Sequence, residues 1–204
     1  MVTSKEKIIK IAAKLFIKEG FKGCTTIELA RIAGLSNNSG LFKYFRTKED
    51  LYDTVVDRYI LKPQDPQTKY CFDKDLSMLE FIDMYIKRIE MTMKYLYDEL
   101  NDDNMNLTPA HYLIFIQEAC RRKKKYKKRY YTQTLLNGEM WEQVFQKAID
   151  SGEIKPDTNI EFYADLYHTL FFGASFLHAA IYDGLQPEKL KKQYYHLYNI
   201  IKKD

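Results

Sequence analysis

Six residues that hydrogen-bond well fall within one short stretch: Asn37, Asn38, Ser39, Gly40, Lys43 and Tyr44. Amide and hydroxyl side chains pair with base edges, whereas lysine ammonium, tyrosine hydroxyl and exposed backbone N–H groups grip phosphate oxygens. Thr25 and Thr26 lie shortly before this stretch at a predicted helix start, where free N–H groups suit a phosphate, and Lys48 lies shortly after it. The chemistry on offer is recognition of double-stranded DNA. A plainer reading of the same residues is that the asparagines and serine build a turn and the aromatics fill a small core. Catalysis finds little support. There is no glycine-rich phosphate loop, no His-Glu-x-x-His and no Gly-x-Ser-x-Gly, and His111, His168, His178 and His196 lack ligand-like spacing. Cys24, Cys71 and Cys120 are odd in number and far apart, so neither a disulfide framework nor a zinc site is suggested. No catalytic residue, metal or cofactor is expected, and the chain is not read as an enzyme.

The stretch is framed by short helices. Thr3 with Glu6, Thr25 with Glu28 and Thr47 with Asp50 open three of them, and Ser36 or Asn37 caps a fourth that is barely two turns long. Gly20 and Gly34 are placed to end the first two. The apolar stripes are Ile8, Ile9, Ala12, Ala13, Leu15 and Phe16 on the first, Ile27, Leu29, Ala30 and Ala33 on the second, and Leu41, Phe42, Tyr44 and Phe45 on the third. The bracing helix over 48–62 carries Leu51, Val55, Tyr59 and Ile60. A helix this short is marginal in isolation, so its neighbours must hold it. Two short helices joined by a glycine turn form a helix-turn-helix, whose second helix enters a major groove.

Charge supports that placement. Residues 1–48 hold ten Lys/Arg against three Glu, so the remainder of a chain of net +4 sums to −3. A positive end on a mildly acidic body suits a polyanionic partner. The Leu166–Tyr182 charge-free run contains two histidines and falls short of the ~20 apolar residues of a membrane span. No membrane segment is expected, and a cytoplasmic location fits best.

"IIKIAAKLFIKEGFKGCTTIELARIAGLS" followed by "GLFKYFRTKEDLY" resembles the N-terminal domain of the tetracycline-repressor (TetR) family. The motifs are Ala12-Ala13 and Leu15-Phe16, Gly20-Phe21, Thr25-Thr26, Ala33-Gly34-Leu35-Ser36, Leu41-Phe42-Lys43-Tyr44-Phe45 and Lys48-Glu49-Asp50-Leu51. The resemblance implies DNA contacts by Thr25, Thr26, Asn37, Asn38, Ser39, Gly40, Lys43, Tyr44 and Lys48. The chain departs from the family twice. Ser36 to Leu41 is one residue longer than the commonest spacing, and Phe42 stands where the family usually has a tyrosine that touches phosphate. Lys43, Tyr44 and Lys48 are in register with the family when counted back from Tyr44-Phe45.

An all-α chain follows, with a helix-turn-helix domain over 1–48, the bracing helix 48–62 and a larger helical ligand-binding and dimerisation domain over 63–204. Residues 64–74 read as a linker. Helical stripes follow through Leu76–Leu96, from Thr108 to Cys120, over Leu135–Ile149 with the sole tryptophan Trp141, over 158–182, and along Leu190, Tyr194, Leu197 and Ile201. The 158–182 helix is apolar all round, which predicts burial on all sides. The last two helices are expected to pair with their copies in a four-helix bundle through Tyr163, Tyr167, Leu170, Ala174, Leu177, Ile181, Leu190, Tyr194, Leu197 and Ile201. The alternative is that one chain buries these residues itself. The family resemblance implies a homodimer and an inducer pocket, for which Ile82, Tyr85, Ile89, Tyr112, Phe115, Trp141, Phe145 and Phe172 are candidates; the plainer reading makes them core. "RRKKKYKKR", residues 121–129, reads as a solvated connection facing Asp98, Glu99, Asp102 and Asp103, or else as an auxiliary contact to DNA or another anionic partner.

The resemblance implies a ligand-responsive transcriptional regulator, most simply a repressor released from a palindromic operator by a small apolar or amphipathic inducer. A DNA-anchored protein-interaction module and a helical carrier or enzyme are the alternatives.

Overall fold

Helices α2, α3 and α4 of the N-terminal region each start where a side chain accepts from a backbone N–H that the helix end leaves over. The computed structural model describes residues 4–63, 65, 76–100, 107–182 and 184–203. Helix α1 (Ser4–Gly23) breaks its regular geometry at Gly20, whose φ of 72° is open to glycine at no steric cost. Thr25 caps α2 (Thr26–Ala33) by accepting from Glu28 N at 3.1 Å, and Gly34 ends it in the left-handed region. Asn37, not Ser36, caps α3 (Asn38–Phe42) by accepting from Gly40 N at 3.3 Å. Thr47 and Asp50 form the expected reciprocal box at the start of α4 (Lys48–Val56), which runs on through a π-helical turn, Asp57–Leu61. Thr3, expected to cap α1, lies outside the described residues.

The remaining helices are α5 (Met78–Leu100), α6 (Pro109–Arg122), α7 (Lys124–Asp150), α8 (Ile160–Ile181) and α9 (Pro187–Ile201). The expected linker 64–74 falls almost wholly outside the described residues. The basic run is not a connection. Only Lys123 separates α6 from α7, and Lys124–Arg129 form the first turns of a helix. Lysine and arginine favour helix, and Tyr126, 4% exposed, anchors those turns.

The chain divides into two compact units: residues 1–64 with 94–127, and 65–93 with 128–204. The division does not coincide with the expected boundary at residue 63, since α6 packs on α1. In the first unit Tyr52 centres a ring cluster, 5.1 Å from both Phe16 and Phe21 and 5.6 Å from Phe115. Tyr112 Oη donates to the Tyr59 carbonyl at 2.7 Å. Phe115 and Tyr112 therefore fasten α6 to α4 and the π-helical turn that continues it.

The second unit is built on Trp141. Its ring lies between 4.9 and 5.4 Å from those of Phe81, Tyr85, Tyr167 and Tyr194. Tyr167 on α8 and Tyr194 on α9 stack with centroids 4.6 Å apart, and each hydroxyl donates to the other's backbone carbonyl, at 2.7 and 2.9 Å. Among the described residues no helix is long and apolar enough to cross a membrane.

Candidate nucleic-acid interface

The geometry of α3 explains how so short a helix is held. Leu41 and Phe45 are buried, and Leu35 N donates to the Ala30 carbonyl at 2.9 Å, closing the turn between α2 and α3. A side chain at Gly40 would meet the Leu35 side chain at 3.3 to 3.5 Å, so glycine there lets α3 approach the turn. That is a packing role for a residue expected among the DNA contacts. With one face fixed, the other is free: Ser39, Phe42, Lys43 and Tyr44 are exposed and Asn38 half-buried, while the Asn37 side chain is engaged as the cap.

Thr25 is exposed and Thr26 half-buried at the start of α2, where the Thr25 hydroxyl takes the Glu28 N–H and the first N–H groups have no intrahelical acceptor. Ile27, expected in the core, is 69% exposed beside them. Exposed Ile27, Phe42 and Tyr44 give this cationic face apolar surface of the kind that meets sugars and thymine methyl groups.

Lys48 differs from expectation. Its ammonium donates to the Phe21 carbonyl and lies 4.1 Å from the Phe21 ring centroid, binding the start of α4 to the turn between α1 and α2. Nearby, burial pushes the Cys24 thiol up to about 12, with the Lys48 charge opposing, so this cysteine is inert packing.

A second anchor in this unit has no signature in the local sequence. Asp53 on α4 accepts from Lys123, Lys125 and the Tyr126 hydroxyl. Partial burial opposes its charge, but those three hydrogen bonds outweigh burial and hold the carboxyl below the ordinary range. Glu118 accepts from Phe21 N at 3.1 and 3.2 Å, and the Arg122 guanidinium lies 3.6 Å from the Phe21 centroid. Only the cationic run and its lone tyrosine hint at this, and local sequence does not reveal which carboxylate such a run will meet.

In the second unit the candidate pocket residues Ile82, Tyr85, Ile89, Trp141 and Phe145 form one buried cluster. Phe172 is half-buried, its ring 4.9 Å from that of His168. Tyr112 and Phe115 belong to the first unit and are not brought to this cluster. Three buried polar atoms here, Asn137 Oδ1, Trp141 Nε1 and His168 Nε2, have no hydrogen-bond partner among the described residues. Burial lowers the His168 pKa, against the pull of Asp165, which keeps the imidazole neutral at pH 7. Among the described residues, no group of three or more His, Cys, Asp or Glu is placed to hold a metal ion.

The expected dimer residues separate into two sets. Tyr167, Ala174, Leu190, Tyr194 and Ile201 are buried within the single chain, so they have no surface to offer a partner. Tyr163, Leu170 and Leu197 are half-buried against the same core. Leu177 and Ile181 lie instead on an open stripe of α8 with Phe162 and Phe176, all four more than half exposed. A helix apolar all round is thus buried on one side only.

A helix-turn-helix with an exposed polar and cationic face is the arrangement that can present a short helix to a DNA major groove. Residues 8–55 match the family described as bacterial regulatory proteins, tetR family. The chain is 40% identical over 52 residues to the HTH-type transcriptional regulator QacR of Staphylococcus aureus, a stretch covering 26% of this chain and 27% of that protein. The match thus spans about a quarter of that relative's length. Over the whole chain the fold is shared with a transcriptional regulator from Saccharomonospora viridis solved in complex with choline, at TM-score 0.71, 14% identity and 98% coverage of both chains. It is shared also with the ketosteroid transcriptional regulator KstR2 of Mycobacterium tuberculosis, at TM-score 0.66 and 16% identity, covering 100% of this chain and 97% of that one. Residues 8–55 thus resemble the tetR family's regulatory proteins, and the whole chain shares its fold with the two solved regulators.

Proposed function

We propose that the protein is a ligand-responsive, DNA-binding transcriptional regulator acting as a homodimer on a palindromic operator, most simply as a repressor. The observation that carries this reading is the exposed face of α3, with Asn38, Ser39, Lys43 and Tyr44 turned outward from a helix held rigidly by Leu41, Gly40 and Phe45. Thr25, Thr26, Lys43 and Tyr44 serve phosphates, and Asn38 and Ser39 serve base edges. Lys48 acts from inside the domain by fixing the turn that carries Thr25. One such helix contacts too few bases to be selective, so two copies read half-sites about 34 Å apart. The open α8 stripe is the surface that joins them.

The test is selection of duplexes from a random pool, followed by footprinting. A twofold-symmetric footprint is expected. In the dimer Lys43→Ala removes two phosphate contacts, which flattens the slope of log K against log salt by about two while weakening all sequences alike. Asn38→Ala should instead relax sequence preference. Selection that returns no symmetric site, or a Lys43→Ala slope equal to the wild type, would count against the reading.

The ligand is a small, neutral or weakly charged amphipathic molecule. Its apolar part suits the aromatic interior of the second unit, and Asn137 Oδ1, Trp141 Nε1 and His168 Nε2 offer hydrogen bonds that the described residues leave unmade. A screen followed by Trp141 emission and by operator release should find compounds that do both. The factor by which such a compound weakens operator affinity must equal the factor by which operator weakens its own. Compounds that quench Trp141 and leave operator affinity untouched would favour a DNA-anchored recruitment module.

A further inference from the structure

We propose that the exposed cations at the α6–α7 junction, Arg121, Lys124 and Lys127, form a second phosphate-binding surface that grips the duplex backbone flanking the operator half-site. The inference rests on the DNA-binding reading above and extends its footprint beyond the helix-turn-helix.

The junction is part of the first unit, and it is joined to the same turn that presents Thr25. Glu118 receives the Phe21 N–H, and Arg122 lies 3.6 Å and Lys48 4.1 Å from the Phe21 centroid. Both cations are set against the Phe21 ring, one from each helix. Phe21 is therefore held between the start of α4 and the end of α6. Lys22, next to Phe21 in the chain, is also exposed and adds a cation to this unit.

Residues 121–129 contain eight cations, of which Lys123 and Lys125 pair with one carboxylate, Asp53. Asp53 takes Lys123 and Lys125, and Glu118 is turned to the backbone of Phe21. Of the acidic residues expected to face the run, Glu99 lies 4.0 Å from Lys10 and accepts from Tyr59 Oη instead, and Asp102 and Asp103 lie outside the described residues. Arg121, Lys124 and Lys127 are left exposed to solvent. The Asp53 cluster fixes the backbone beneath them, so the charges are presented from a rigid base rather than from a loose tail. A surface of this charge, in the same compact unit as α2 and α3, fits a continuation of the same polyanion.

The test compares the wild type with the triple variant Arg121→Gln/Lys124→Gln/Lys127→Gln. Both are measured on the protected operator core and on that core lengthened by about ten base pairs on each side, one helical turn. The wild type should bind the longer duplex more tightly, and the variant should lose that gain yet match the wild type on the core. On the long duplex the dimeric variant has about six fewer cations facing phosphate, which makes its salt slope shallower by about five. A variant that keeps the flank gain and the wild-type slope overturns the proposal. So does a variant whose only defect is loss of binding to phosphatidylglycerol vesicles, which would assign the surface to a membrane. Core affinity reports on α3 independently, so a wild type that binds no core duplex refutes the DNA-binding reading itself.

Discussion

Leu177→Glu is expected to convert the protein to a monomer and to lower operator affinity by ~10²–10⁴, the advantage that joining two half-site readers confers. Leu177 is 53% exposed, with Phe176 at 63% and Ile181 at 60% on the same stripe of α8, so glutamate costs the single chain far less than at a buried position. In a dimer that stripe is covered, and the new carboxylate is taken from water without a partner. Sedimentation equilibrium should show the smaller mass while far-ultraviolet circular dichroism is unchanged. A half-site duplex should be bound by the variant as well as by the wild type. A variant that stays dimeric would move the contact between copies elsewhere, and one that turns monomeric yet keeps full operator affinity would remove dimerisation from the mechanism.

Trp141→Ala should destabilise the second unit by about 3–5 kcal/mol, the usual cost of removing a large buried aromatic group. Its side chain is fully buried and touches rings from α5, α7, α8 and α9 at once, so no single neighbour can move into the space left. Urea unfolding followed by circular dichroism measures the loss, since the variant has no tryptophan to report. Trp141→Phe should cost much less, because it keeps most of the apolar contact and deletes a buried N–H that has no acceptor among the described residues. A loss below ~1 kcal/mol for the alanine variant would mean that the rings around position 141 are not close-packed.

The first four helices are legible in the sequence because their signals are local. A threonine three residues before an acidic side chain, or a glycine after an apolar stripe, carries its own reason, and the caps at Thr25 and Thr47 and the breaks at Gly20 and Gly34 appear where expected. The packing role of Gly40 is not legible, because it depends on the approach of Leu35, which spacing does not disclose. The choice of Asp53 by Lys123 and Lys125, and of Phe21 N by Glu118, joins residues at least 70 apart in the chain, with no local trace. The α8 helix is ambiguous for a different reason. Apolar residues all round give no direction, so its core side can be assigned only once Tyr167 is seen against Tyr194.

That tyrosine pair has a mechanical consequence. Each hydroxyl donates to the other residue's carbonyl, so the two bonds point in opposite senses across the same gap between α8 and α9. Sliding one helix along the other by a single turn, about 5.4 Å, breaks both at once and strands two buried hydroxyls. Smaller slides stretch both and gain nothing in exchange. The pair thus works as a detent that holds α8 and α9 in one register against sliding.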